Sequence, residues 1–307
     1  MTYPADSTMI SRASKQRTPQ VLYIMGAGRS GSTALAIFLG AASKIRTLGE
    51  MHQFFEHLQE SKPCSCGAAL PDCSYWGPIV LNIPDTLLRN RELRQRTERI
   101  EGHTRILLHL IRGLKFFSRD QYFTTQRQIF NAISKQTEEH VLVDSAKYIG
   151  RALTLRQLDG IDFKVVYLVR DPRGVVYSFS KSEQTGRGFI SSILYYVSVN
   201  FTAEIVRSTA LKGKVIKVRY EDIISNPHDV FKRLETFTGV QFASVAQAIT
   251  ENDSFRVGHI IGGNRLRETQ KIIPCLDNSW KFRLPVWRRV LVWTLTLPFN
   301  IINRYHI

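Results

Sequence analysis

The run Val21-Leu22-Tyr23-Ile24-Met25, then Gly26-Ala27-Gly28-Arg29-Ser30-Gly31-Ser32-Thr33, then Ala34-Leu35-Ala36-Ile37-Phe38-Leu39, decides the fold class. The first five residues are β-branched, aromatic and aliphatic without polar alternation, which predicts a buried strand. The glycines predict a tight turn, and the last six residues suit a helix. A strand, a glycine-rich turn and a helix in succession aim backbone N–H groups and the positive helix end at one point, a place suited to an anion.

The same grammar recurs downstream. Val141-Leu142-Val143 precedes Asp144, Phe163-Lys164-Val165-Val166-Tyr167-Leu168-Val169 precedes Arg170, and Val215-Ile216-Lys217-Val218 precedes Arg219. Apolar strands separated by helical stretches predict an α/β fold: a parallel sheet with helices on both faces, three layers in all and P-loop-like at its first turn. Residues 1–19 are polar and lack an apolar run, so they are expected to form a flexible tail without a secretory leader. Residues 20–307 are expected to form one domain. From 86 to 139 no strand signal occurs, while Leu107, Leu110, Leu114 and Phe117 fall at helical spacing, which predicts a helical insert that would shape a binding pocket. Arg105, Arg112 and Arg119 share one side of that helix with His109 and Lys115 close by, either as a solvated face or as a surface meeting an anionic acceptor.

Three motifs compete for the glycine turn. Gly26, Gly28 and Gly31 fit a dinucleotide fingerprint with Glu50 near the ribose-binding position. Gly26 and Gly31 also have the outer spacing of a triphosphate loop, but Ser32 stands where that motif needs lysine, which removes the cation of kinase chemistry. What remains distinctive is Arg29 with Ser30, Ser32 and Thr33: a guanidinium and three hydroxyls on one turn.

The chain has 307 residues and a formal charge of +16, which favours anionic partners without choosing among nucleic acid, membrane and small phosphates or sulfates. A nucleic-acid module would want basic residues interleaved with exposed aromatics, whereas the most specific arginines here stand in phosphate-loop contexts. Cys64, Cys66 and Cys73 crowd together, with Cys275 far away. Their spacing is not that of a standard zinc finger, so they are read as reduced thiols and no metal is assigned. The apolar run Val290 to Ile302, interrupted by Pro298, is shorter than the ~20 residues that span a bilayer. It is read as a closing core helix, with peripheral membrane contact as the other reading. The expected localisation is cytoplasmic.

Arg170-Asp171-Pro172-Arg173-Gly174-Val175-Val176-Tyr177-Ser178 leaves the strongest predicted strand and enters a helix through Pro172. Arg170 and Ser178 could then converge on a second phosphate, which a nicotinamide- or flavin-dependent oxidoreductase does not need. In order and separation, this segment and the glycine turn resemble the 3′-phosphate-binding segment and the 5′-phosphosulfate loop of the sulfotransferase superfamily. Arg219-Tyr220-Glu221-Asp222 resembles a further family stretch. His259-Ile260-Ile261-Gly262-Gly263-Asn264-Arg265-Leu266-Arg267, with Asp277 and Trp280, resembles the closing segment of bacterial and carbohydrate-type members, as does the Cys-Ser-Cys-Gly run with Cys73 and Trp76.

The resemblance implies the sulfotransferase fold and a donor, 3′-phosphoadenosine 5′-phosphosulfate, that leaves as adenosine 3′,5′-bisphosphate. Gly28, Arg29, Ser30, Gly31, Ser32 and Thr33 would hold the phosphosulfate, Arg170 and Ser178 the 3′-phosphate, and Gly263, Asn264 and Arg267 a loop over the adenosine. Lys147, past a strand end, would help neutralise the reacting sulfate beside Arg29. Gly49-Glu50-Met51-His52-Gln53-Phe54-Phe55 is similar to a heparan-type pattern, which implies Glu50 as the base, with His52 as second choice. Arg29 stands where many cytosolic members carry lysine, and no Thr-His-Leu-Pro-like motif follows the middle strand. Both departures point away from phenol and steroid acceptors and towards the carbohydrate or bacterial type without naming the acceptor, which is left as a hydroxyl or amine of a carbohydrate, lipid or glycolipid.

Overall fold

Alternate residues of the central strands feed two different cores, which is why those strands read as unbroken apolar runs. In a computed structural model, which describes residues 18–102, 121–137, 139–181 and 186–306, strand β1 (Gln20–Gly26) sends Val21, Tyr23 and Met25 to one side and Leu22 and Ile24 to the other. Strand β2 spans Ile45–Gly49, β3 Val141–Lys147, β4 Asp162–Val169 and β5 Val215–Arg219. β4 divides in the same way, with Val165, Tyr167 and Val169 on one face and Val166 and Leu168 on the other. All five strands are parallel, in the order β2-β3-β1-β4-β5. A parallel sheet buried on both faces is the α/β fold that the sequence predicts.

One face is covered by α1 (Ser32–Leu39) and by the later helices Pro227–Thr238 and Ala243–Thr250. The other carries α2 (Phe54–Gln59), α3 (Trp76–Leu81), α4 (Asp85–Leu88), α5 (Arg91–Glu101), α6 (Gln121–Gln136), α7 (Ile149–Leu155), α8 (Pro172–Ser180) and α9 (Phe189–Ser208). The described residues of 86–139 contain helix and no strand. The basic stripe of Arg105, His109, Arg112, Lys115 and Arg119 lies outside the described residues.

The insert is tied down through a buried ion cluster. Arg151 on α7 is wholly buried; its Nε donates to Asp144 Oδ2 at 2.7 Å, and its Nη1 donates to Glu101 and to Gln126 Oε1, the latter at 3.3 Å. Tyr122 also donates to Glu101. Burial is the main force on Glu101 and raises its pKa, opposed by Arg151 and Tyr122. A charge this deep is tolerated only when paired and hydrogen-bonded. The cluster therefore fixes α5 and α6, through α7, against the middle of β3.

The C-terminal run departs from expectation. It forms two helices, Val286–Leu295 and Leu297–Asn303, broken at Thr296 ahead of Pro298. In the first of them only Val292 is buried, while Trp287, Val290 and Leu295 are exposed, and so are Ile301 and Ile302 in the second. It is a half-covered apolar surface rather than a closing core helix, because hydrophobic residues occupy more of the helix circumference than the underlying protein can cover. Among the described residues, one helix, α9, is long and apolar enough to cross a membrane. It is part of the sheet's cover: Tyr196, Val199, Ala203 and Val206 are buried in the core, Tyr196 Oη donates to Arg170 O at 3.0 Å, and Asn200 accepts from Tyr167 at 2.8 Å.

Candidate active site

The carboxyl ends of parallel strands leave backbone groups and loops facing one edge of the sheet, and ligands of open α/β sheets bind there. At this edge the ends of β1, β2 and β3 deliver Arg29, Glu50 and Lys147 to one cleft of about 300 Å³. Its walls are Gly28, Gly31, Ser32 and Thr33 from the first turn, His52 and Gln53 after β2, Tyr148 after β3, and Gly263 and Asn264 from the late loop. Phe179, Arg187 and Tyr195 complete it. Three cations face one carboxylate, so the cleft is electropositive.

The glycine turn has a backbone fit only for what it does. Gly31 has φ +91°, and a Cβ there would sit 2.4 Å from the Tyr220 ring. No side chain caps α1, and its first turn has no acidic residue, so its positive end faces the turn uncompensated. Ser30 Oγ is buried without a hydrogen-bond partner in the protein, and Ser32 and Thr33 are buried beside it. An orphaned hydroxyl, two further hydroxyls, a guanidinium and an uncapped helix end form a donor set that fits a phosphate or sulfate group. The amide of Gly28 is engaged elsewhere: it donates to Tyr195 Oη at 2.9 Å.

Arg29 and Lys147 are both in the left-handed region, at φ +68° and +73°. That conformation costs a non-glycine residue about 1–3 kcal/mol, and it persists where the surroundings over-determine it, often at functional sites. Burial lowers the pKa of Arg29, with Arg265 acting in the same direction and Glu50 against it. Lys147 donates to Glu50 Oε1, and Asp144, its nearest acidic neighbour in sequence, is occupied instead by Arg151 and by the amide of Ala146. Glu50 is buried and further held by Gln53 Nε2 at 3.2 Å, while its amide donates to Ile261 O at 2.6 Å. His52 Nε2 lies 3.9 Å from Glu50 Oε2, with its ring edge-on to Tyr148 at 4.6 Å. Burial, and secondarily Glu50, pushes the Tyr148 hydroxyl up to about 12, so it remains a neutral donor.

The structure thus brings together Gly28, Arg29, Gly31, Ser32, Thr33, Glu50, His52, Lys147, Gly263 and Asn264 in one cleft. Its lining, among the described residues, does not include Ser30, Arg170, Ser178, Arg267 or any residue of 86–139. Arg170 is buried and braces the site: Nη1 donates to Arg29 O at 3.0 Å, Nη2 to Asp277 O at 3.1 Å, and its guanidinium lies 4.4 Å from the Tyr220 ring centre. Ser178 is half-buried two turns into α8, and Arg267 donates to Pro63 O at 3.4 Å. Glu221 accepts from the Asp171 amide at 2.9 Å and from Tyr305 at 3.0 Å, and Arg173 lies 4.3 Å from the Trp280 ring centre. The Arg219-to-Asp222 stretch and Trp280 therefore pack behind the glycine turn and the start of α8 rather than lining the cleft.

Sequence reasoning missed Gln53, Tyr148, Phe179, Arg187 and Tyr195. Arg187 lies 4.5 Å from the Tyr195 ring centre. The available signal was adjacency for Gln53 and Tyr148; Tyr195 stands in an apolar helix where nothing distinguishes it from core.

A family model, the sulfotransferase domain, matches residues 19–286. The chain belongs to the sulfotransferase family. Carbohydrate sulfotransferase 1 of mouse, and the proteins of that name from rat and human, are 29% identical to it over 143 residues, which is 40% of this chain and 34% of each relative. The match thus spans about a third of the length of these curated relatives. Among solved structures, the sulfotransferase domain from the Synechococcus PCC 7002 olefin synthase aligns with TM-score 0.52 and 18% identity, over 95% of this chain and 97% of that one. The sulfotransferase domain from the curacin biosynthetic pathway aligns with TM-score 0.50 and 19% identity, over 91% and 97%. The fold class read from the strand pattern is the fold of these neighbours.

Proposed function

We propose that this sulfotransferase takes its sulfuryl group from 3′-phosphoadenosine 5′-phosphosulfate and passes it to a hydroxyl of a carbohydrate or glycolipid. The observation that carries the reading is the pairing of buried Glu50 with half-buried Lys147, facing the Arg29 turn across one cleft. Sulfuryl transfer needs an acceptor oxygen in line with the sulfur, positive charge on the oxygens that gain it, and a base for the acceptor proton. Glu50 supplies the base and takes the hydroxyl proton as the new O–S bond forms. Arg29 and Lys147 meet the charge on the sulfuryl oxygens and on the departing 5′-phosphate oxygen as the old S–O bond breaks. The Ser30, Ser32 and Thr33 hydroxyls and the α1 end hold that phosphate, and Arg170 keeps the Arg29 backbone in its left-handed turn. The carbohydrate sulfotransferases of mouse, rat and human support the acceptor class.

An oxidoreductase would use the same glycines but has no role for a lysine locked to Glu50. Calorimetry with adenosine 3′,5′-bisphosphate, NAD and ATP tests the reading. The bisphosphate is expected to bind well over tenfold tighter than either; binding of NAD without the bisphosphate would replace it.

A further inference from the structure

Cys64, Cys66 and Cys73 gain a fourth neighbour that no local spacing reveals. His259, 186 residues beyond Cys73, brings its Nδ1 to 3.2 Å from Cys73 Sγ. Cys66 Sγ is 3.6 Å from Cys73 Sγ, and the four ligand atoms all lie within 4.8 Å of one another. A tetrahedral zinc ion, with Zn–S of about 2.3 Å and Zn–N of about 2.0 Å, needs S···S edges of ~3.8 Å and S···N edges of ~3.5 Å. The Cys66–Cys73 and Cys73–His259 edges lie within about 0.3 Å of those of that tetrahedron, the other edges stay within 4.8 Å, and the sulfur pair is far longer than the ~2.05 Å of a disulfide.

The surrounding backbone is shaped to present these atoms. Cys64 N donates to Ala68 O and Gly67 N to Cys64 O, both at 2.9 Å, closing a tight knuckle. Gly67 holds φ +89° with nothing within 4 Å of a Cβ position, so it is there for its conformation. The histidine is held independently. Ser65 Oγ donates to Gly258 O at 2.6 Å and accepts from Ile260 N at 2.9 Å, and Trp76 Nε1 donates to His259 O at 3.2 Å. Cys64 and Cys73 are buried and Cys66 is exposed, which leaves a way in.

We propose that Cys64, Cys66, Cys73 and His259 bind one zinc ion as a closed, structural site. Three thiolates and one imidazole select zinc over harder cations, and four protein ligands leave no open position for catalysis. The ion would staple the knuckle to the segment that continues through Ile261, whose carbonyl holds the Glu50 amide, to Gly263 and Asn264 in the cleft wall. The site is independent of which donor or acceptor the cleft takes.

The test reads metal, not turnover. Protein purified under reducing conditions without added metal is expected to carry one zinc per chain by elemental analysis. Replacement by Co²⁺ should give the intense visible absorption of a tetrahedral thiolate site. Cys66→Ser changes an exposed atom and should leave the circular dichroism intact while weakening zinc at least tenfold in a chelator competition; His259→Ala should do the same. Stripping the metal should speed amide exchange in residues 258–264 and leave β1 unchanged. Absence of zinc together with no Co²⁺ spectrum at excess metal would overturn the proposal. So would a Cys66–Cys73 disulfide persisting in millimolar reduced glutathione, and a bound metal whose removal leaves that exchange unaltered would overturn the staple.

Discussion

Replacing Gly31 by alanine tests the glycine turn at the point where its geometry is least forgiving. Two costs add there. A left-handed φ of +91° costs an alanine about 1–2 kcal/mol relative to glycine. The new methyl would also sit 2.4 Å from Tyr220 Cδ2 and 2.7 Å from Cε2. That ring cannot swing aside cheaply: its hydroxyl donates to Cys275 O at 3.2 Å and accepts from Asp277 N at 3.4 Å, and Arg170 lies over its face. Overpacking of this kind costs about 1–3 kcal/mol, so Gly31→Ala should lose about 2–5 kcal/mol in total. Gly160→Ala is the control, since Gly160 has φ +78° with nothing within 4 Å of its Cβ position; it should lose only the backbone share, about 1–2 kcal/mol. Equilibrium urea unfolding measures both. Because the displaced ring carries Arg170, and Arg170 carries the Arg29 carbonyl, Gly31→Ala should also weaken adenosine 3′,5′-bisphosphate at least tenfold while Gly160→Ala leaves it unchanged. Equal stabilities and equal affinities in the two variants would refute the reasoning.

Three further perturbations separate chemistry, packing and surface. Glu50→Gln keeps shape and removes the proton acceptor, so turnover should fall by about 10²–10⁴ with little change in bisphosphate affinity; normal turnover at saturation would move the role to His52. Arg151→Met leaves Glu101 and Asp144 buried without their cation and should cost about 3–5 kcal/mol near neutral pH. Glu101 already has a raised pKa in the folded state, chiefly from burial. Losing the arginine raises it further, so its stabilising contribution is present at low pH and lost as pH rises through the folded value. The deficit of Arg151→Met should therefore shrink in urea titrations as pH falls from 7.5 towards 5, and a pH-independent deficit would mean the carboxylates are not the cause. The exposed Phe282, Val286, Trp287 and Val290, beside Arg283, Arg288 and Arg289, should carry the chain onto phosphatidylglycerol vesicles in flotation at low salt. Trp287→Ser should reduce that, and failure of the parent chain to float at low salt would exclude peripheral contact through this face.

What the sequence revealed and what it hid divide along one physical line. β1, β3 and β4 were legible because burial on both faces makes a strand largely apolar, and the half-buried edge strand β5 because Val215, Ile216 and Val218 keep it so; Gly26, Arg170 and Arg219 marked strand ends, whereas β3 runs on past Asp144 to Lys147. Glu50 and Lys147 were legible as separate groups at strand ends, 97 residues apart, yet nothing in either segment states that they meet. Asp144 is the nearer acid in sequence, and its capture by Arg151 depends on α7 and on an insert helix folding back onto the middle of β3. For Arg170 and Ser178 the helical spacing suggests one phosphate clamp, and no local pattern shows that the guanidinium also reaches Asp277, 107 residues on, where the buried strand end offers it a carbonyl, a carboxylate and an aromatic face at once. His259 belongs to the same class, since its partners lie across the molecule. Local periodicity fixes which edge of the sheet carries the cleft; which side chains pair there is set by contacts between segments 50 to 107 residues apart, and those pairings decide that the carboxylate next to the glycine turn is held by a lysine rather than by an arginine.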